Sequence, residues 1–148
     1  MTIVGTLRRV IFAAALVPAA ALVYGAFTHN LGANPIDYIT DTTGLTALTF
    51  LIITLTVTPL RRLTGRNELI RLRRMLGLFA FFYACLHLST WVVIDWFFDF
   101  ASMAADVVER PFITLGMTTF LLLLPLAVTS TAAMIRRLGK RWQQLHRL

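Results

Sequence analysis

Few side chains here can do chemistry, and their position relative to the apolar runs decides which chemistry. His87 stands inside Met75 to Ile94, a run without Asp, Glu, Lys or Arg. It follows Arg74 by 13 residues, which in a helix puts it about 20 Å from the arginine end. An imidazole at that depth in hydrocarbon binds a ligand, relays protons or pairs with another helix. On a helical wheel Ala80, Tyr83, Ala84 and Trp91 share its face. The two alanines leave room for a flat macrocycle, and Tyr83 and Trp91 can wall its edge. Heme iron takes such an imidazole as an axial ligand. From residue types alone two readings stay open: a heme ligand, or a hydrogen-bonding contact between helices.

The other candidates are sparser. His29 falls in a loop, and His146 follows the basic stretch Arg136 to Arg141 near the opposite surface from His87. A depth difference of about 15 to 20 Å keeps one iron from taking both His87 and His146 as axial ligands. Either His87 meets its opposite ligand on a segment outside this sequence, or there are two cofactor positions. Cys85 is the only cysteine, so it has no internal disulfide partner and cannot hold an iron–sulfur cluster by itself. No Cys-x-x-Cys-His attachment motif, phosphate-binding loop or dinucleotide fingerprint occurs, so redox chemistry here requires a noncovalent cofactor. Arg73 and Arg74 begin the run that carries His87. They could meet a cofactor carboxylate, a flavin phosphate or a quinone oxygen, but snorkelling beside anionic lipid is the commoner role for such residues.

The elements that must position these residues follow from charge spacing. No Asp, Glu, Lys or Arg occurs from Val10 to Ile36, Thr42 to Leu60, Met75 to Ile94 or Pro111 to Ile135. Each run can cross a hydrocarbon core about 30 Å thick as a helix. The runs are continuous rather than alternating, which argues against strands in lipid. The 148 residues are 57% hydrophobic and 14% charged, and mean hydropathy is +0.73. This excludes a water-soluble enzyme. The spacing predicts an all-α integral membrane protein with four transmembrane helices, over about 10–28, 43–60, 75–95 and 112–135, in a single domain of 1–148. Residues 136–148 read as the basic start of a further helix, with Trp142, Leu145 and Leu148 as its apolar stripe. The sequence thus reads as a truncated part of a larger bundle.

The net charge of +7 belongs to the lipid surface, not to nucleic acid. Of the 14 basic residues only Arg110 falls outside the N-terminal segment, the Arg61 to Arg74 connection and the C-terminal segment. The positive-inside rule makes those segments cytoplasmic, with both termini inside. Arg8 and Arg9 before an apolar stretch, with Gly25 and Ala26 after it, also resemble a secretory leader, but three later spans hold the protein in the membrane either way. Pro18 is expected to kink the first helix, and Asn34–Pro35 to mark the exit to the outer loop.

Several motifs occur together: Thr43-Gly44 with Leu45 to Leu48, then Thr-Pro-Leu-Arg-Arg at 58–62, Leu-Arg-Arg-Met-Leu-Gly at 72–77, and Tyr83 with His87. Together they resemble the MsrQ (formerly YedZ) family, heme-binding membrane subunits of bacterial periplasmic methionine-sulfoxide reductase systems, within the ferric-reductase-like transmembrane group. The resemblance covers about Asn34 to Leu148. It implies a six-helix bundle in the bacterial inner membrane that carries heme b. It also implies electrons taken from the quinone pool or a flavin such as FMN and passed to a periplasmic molybdenum-containing reductase of methionine sulfoxide. His87 matches the family's heme ligand on its third helix, and His146 the histidine that begins its fifth. A further family histidine about four turns beyond His146 has no counterpart in this sequence. Two other classes remain beside electron transfer: a cofactor-free scaffold or assembly subunit with His87 as a helix contact, and a small ion or proton transporter with His87 as a relay. The transporter lacks a second intramembrane acid or base to continue a path.

Overall fold

The computed structural model describes residues 3–146, and all regular structure among them is helical. The chain is an all-α integral membrane protein. Four segments are long and apolar enough to span a bilayer: Gly5–Phe27, Pro35–Thr64, Leu72–Asp95 and Pro111–Val128. The residues fall into two compact units that meet in sequence at Phe97 and Phe98.

The first unit contains α1 (Ile3–Phe27), α2 (Pro35–Thr64) and α3 (Ile70–Thr90). Two of these helices begin well before the uncharged runs. Arg8 and Arg9 lie inside α1, as good helix formers whose long stems reach water from a lipid-facing helix. Helix α2 starts at Pro35 rather than near residue 43, because Pro is preorganised for the first helical position and Asp37 favours the N-terminal end of the dipole. Asn34 and Pro35 therefore open a helix as well as close a loop. The other end of α2 stops at Gly65, whose φ of 69° is the left-handed cap conformation and whose N–H donates to the Arg61 carbonyl.

A short 3-10 turn, Asn67–Leu69, returns the chain into α3, so α2 and α3 pack antiparallel. Three contacts share one register. Arg73 Nη1 donates to Thr58 Oγ1 at 3.0 Å, Gly77 faces the Thr54 methyl, and Gly44 faces the His87 ring; each pair of residue numbers adds to 131. On α2 the stripe Thr43, Ala47, Phe50, Thr54, Val57 recurs at helical spacing, and on α3 so does Leu72, Met75, Leu76, Phe79, Tyr83. Phe79 and Tyr83 both stack on Phe50, with ring centroids 5.7 Å apart in each pair.

Helix α1 is fastened to this pair by Tyr83, which is fully buried. Its hydroxyl accepts from Ala19 N–H at 3.1 Å and donates to the Ala15 carbonyl at 2.7 Å. Pro18, between those residues, has no N–H to offer the preceding turn, so α1 is locally short of donors where the phenol arrives.

In the second unit α4 (Phe100–Glu109) precedes α5 (Pro111–Val128), α6 (Ala132–Leu138) and α7 (Lys140–Leu145). The apolar runs give no sign of α4, which is only ten residues long. Asp99 caps it, accepting from the Ser102 hydroxyl at 2.7 Å and the Ser102 N–H at 3.2 Å. The exposed turn beyond is closed by an ion pair from Arg110 Nε to the buried Asp106 at 2.7 Å.

The helix expected over 112–135 is interrupted at Thr129–Thr131. Pro125 weakens the ladder, the Thr129 and Ser130 hydroxyls donate to the carbonyls of Pro125 and Leu126, and Thr131 caps a new helix. The expected basic helix over 136–148 is likewise divided, because Gly139 adopts φ 49° and ψ −117°, a conformation open to glycine. Of its expected stripe, Trp142 turns inward and donates from its indole N–H to the Thr129 carbonyl at 2.9 Å, Leu145 is exposed, and Leu148 lies outside the described residues.

Two outcomes follow. Tyr83→Phe should cost about 0.6 to 1.7 kcal/mol of unfolding stability in mixed micelles, the range for hydrogen bonds between membrane helices, and Tyr83→Ala considerably more because a ring is lost as well. The Ser102 hydroxyl and backbone N–H hold the Asp99 carboxyl below its ordinary pKa. Its capping contribution is therefore complete above the unfolded-state pKa and lost as pH falls through the folded one. Amide-exchange protection at residues 100–103 should weaken on acidification through that window, and at neutral pH in Asp99→Ala.

Candidate functional site

His87 sits in the last turn of α3, and its carbonyl accepts from Trp91 N–H. The next turn, Trp91–Asp95, is π-helical, with Trp96 N–H reaching back to the Trp91 carbonyl. Widened turns of this kind gather at functional positions. The ring crosses to the first turns of α2. Nδ1 lies 3.0 Å from the Thr40 carbonyl oxygen and 3.4 Å from Thr43 Oγ1. A carbonyl can only accept, so Nδ1 carries the proton, and in the neutral ring Nε2 keeps its lone pair. Nε2 has no hydrogen-bond partner among the described residues.

Gly44 makes that approach possible. A Cβ there would come 3.0 Å from His87 Cε1 and 3.1 Å from Nδ1. The Thr43 hydroxyl donates to the Ile39 carbonyl at 2.8 Å, and the Thr40 hydroxyl is buried without a partner among the described residues. Thr43 and Gly44 belong to the motif that carries the family resemblance, but their contact with the ring was not legible there. Helical periodicity assigns residues to faces of one helix and says nothing of which residue on another helix they meet.

The face expected to flank His87 is divided by packing. Ala80 and Tyr83 are buried, and Tyr83 spends both its ring and its hydroxyl on α1 and α2. Ala84 and Trp91 remain partly exposed beside His87. Arg73 and Arg74 lie at the other end of α3, about 20 Å away by helical rise; Arg73 is half-buried on Thr58, and Arg74 is exposed.

His146 belongs to the second unit, at the C-terminal cap of α7. Its ring stacks on Trp142 with centroids 4.3 Å apart, and Nε2 lies 2.9 Å from Thr129 Oγ1. The two histidines thus differ: His87 leaves Nε2 open, whereas His146 has Nε2 in a hydrogen bond. Among the described residues no three His, Cys, Asp or Glu side chains converge as a cage for a bare metal ion.

The sequence pattern of the ferric reductase like transmembrane component family matches residues 42–148. A protein-methionine-sulfoxide reductase heme-binding subunit MsrQ from Bordetella pertussis is 49% identical over 144 residues, covering 97% of this chain and 70% of that protein. The chain belongs to the MsrQ family of ferric-reductase-like transmembrane proteins. The MsrQ proteins of Herminiimonas arsenicoxydans and Ralstonia nicotianae are 59% and 54% identical, over 96% and 95% of this chain. The chain spans 66% and 65% of the length of those two relatives. No solved structure matches it.

Proposed function

We propose that this chain is the heme-binding part of a membrane electron-transfer subunit, in which His87 would hold the heme iron through Nε2. The observation that carries the reading is the polarity of the His87 ring: Nδ1–H rests on the Thr40 carbonyl, which leaves the Nε2 lone pair for a metal. Metal-ligating histidines are held in this way, with the second ring nitrogen bonded to a carbonyl or carboxylate that fixes tautomer and orientation. The residues fit heme better than a bare ion. A porphyrin would supply nitrogen ligands of its own, so a lone imidazole suffices and no cluster of protein ligands is required.

When bound, a b-type heme supplies one-electron exchange, while the protein sets ligation, burial and access. His87 holds the ligand nitrogen near the end of α3 away from the arginines, and Ala84 leaves space beside the ring. Ala80 and Tyr83 serve the same ligand from behind, by locking α3 against α1 and α2 so that the imidazole has one position. His146 would be a ligand at a second cofactor position in this reading. Arg73 and Arg74 face the donor side, where a quinone oxygen or the phosphate of FMN finds a positive surface.

The names of the relatives support a place in a protein-methionine-sulfoxide reductase system. In that system this subunit delivers electrons to a periplasmic molybdenum-containing reductase, which performs the substrate chemistry. The arginine distribution supports a multi-pass orientation in the bacterial inner membrane with the N-terminus in the cytoplasm. The family match, over residues 42–148, includes parts of both compact units and supports the reading of 1–148 as a single transmembrane domain.

The Thr40–His87 bond also serves the second reading, a cofactor-free scaffold in which the histidine only joins two helices. The two are separated by a reduced-minus-oxidised spectrum of the purified full-length protein. His87→Ala and His87→Asn should both abolish the b-type bands assigned to that ligand, although Asn can still donate to the Thr40 carbonyl. A colourless, folded wild-type protein, or bands unchanged in both variants, would reject heme ligation by His87.

A further inference from the structure

We infer that the Thr40–Gly44 turn of α2 is a positioning device that sets the donor strength of the His87 imidazole; the inference rests on His87 being an iron ligand. Three observations carry it. Nδ1 lies 3.0 Å from the Thr40 carbonyl and 3.4 Å from Thr43 Oγ1. The Thr43 hydroxyl has one proton, and the Ile39 carbonyl at 2.8 Å is a closer acceptor for it than the Thr40 carbonyl at 3.1 Å. An oxygen lone pair of Thr43 is thereby left for Nδ1–H, which is shared between two acceptors on α2. Stronger acceptance at Nδ1–H places more electron density on Nε2 and favours the more oxidised state of a metal bound there.

Gly44 sets the distance at which this sharing occurs. A methyl group at 44 would press on the rigid imidazole at 3.0 and 3.1 Å, not on the end of a flexible chain. The helices cannot readily slide apart to admit it. In the same register Thr54 is packed 3.5 Å from the position of a Gly77 Cβ, and Arg73 is bonded to Thr58. The ring must therefore give way by a few tenths of an ångström, and in shifting it loosens the Nδ1 bond to Thr40. Thr43 and Gly44 touch neither iron nor substrate; they act through the histidine.

The test uses the full-length protein and three variants. Thr43→Val should keep its b-type bands but titrate at a more positive midpoint potential, with Thr43→Ser returned to the wild-type value. Gly44→Ala should bind heme about 10- to 100-fold more weakly, the effect typical of losing an outer hydrogen bond on a ligand histidine, while its helical circular dichroism is retained. Nitrogen-15 NMR of histidine-labelled protein without heme reads the tautomer directly: Nδ1–H at His87 in the wild type, and a shift towards Nε2–H in Gly44→Ala. An unchanged potential in Thr43→Val, or an unchanged tautomer in Gly44→Ala, would overturn the positioning role. Retention of the heme bands in His87→Ala would instead sink the ligand reading, leaving the NMR result to judge the α2 turn by itself.

Discussion

A hydrogen bond from His87 Nδ1 to the backbone carbonyl of Thr40 is the interaction on which the proposed site depends. Both groups are part-buried between two apolar helices, where each must find a protein partner or remain costly. The bond meets that requirement for one ring nitrogen and in doing so assigns the lone pair to the other. Packing and chemistry therefore have one cause here. The bond that joins α3 to α2 also orients the atom available for ligation.

That bond exists because two helices are held in a single register. Gly77 against Thr54 and Gly44 against His87 let the backbones approach where a larger side chain would separate them, as small residues do between membrane helices. Phe50, stacked on both Phe79 and Tyr83, fills the seam between the two close approaches. Tyr83 then carries the constraint to α1, where its phenol bonds to the backbone on either side of Pro18. The proline and the tyrosine are complementary, one weakening a helical ladder and the other supplying a polar group at the same place.

The second unit follows the same rule with different means. Its threonines and serine turn their hydroxyls onto nearby carbonyls at the end of α5, and the chain breaks there before Thr131 caps the next helix. Trp142 and His146 both use Thr129, one through its carbonyl and the other through its hydroxyl. An apolar run counted by charge alone passes through this break unnoticed, since threonine and serine carry no charge. The amphipathic α4 was missed for the opposite reason, because Asp99, Asp106, Glu109 and Arg110 interrupt the hydropathy signal where a capped surface helix forms.

By itself the sequence determined the class of protein and the four spans, because both follow from the spacing of charges along a helix of known rise. It also marked the family, through motifs at set intervals. Only the tertiary structure decided which side chains meet. His87 finds Thr40, Thr43 and Gly44; Tyr83 turns to α1 instead of standing at the edge of an open face; and Arg73 binds Thr58. The physical reason is that hydropathy and helical period constrain one helix at a time, whereas the partner of a buried polar group is set by the register between helices, which depends on loop closure and on where small residues permit contact.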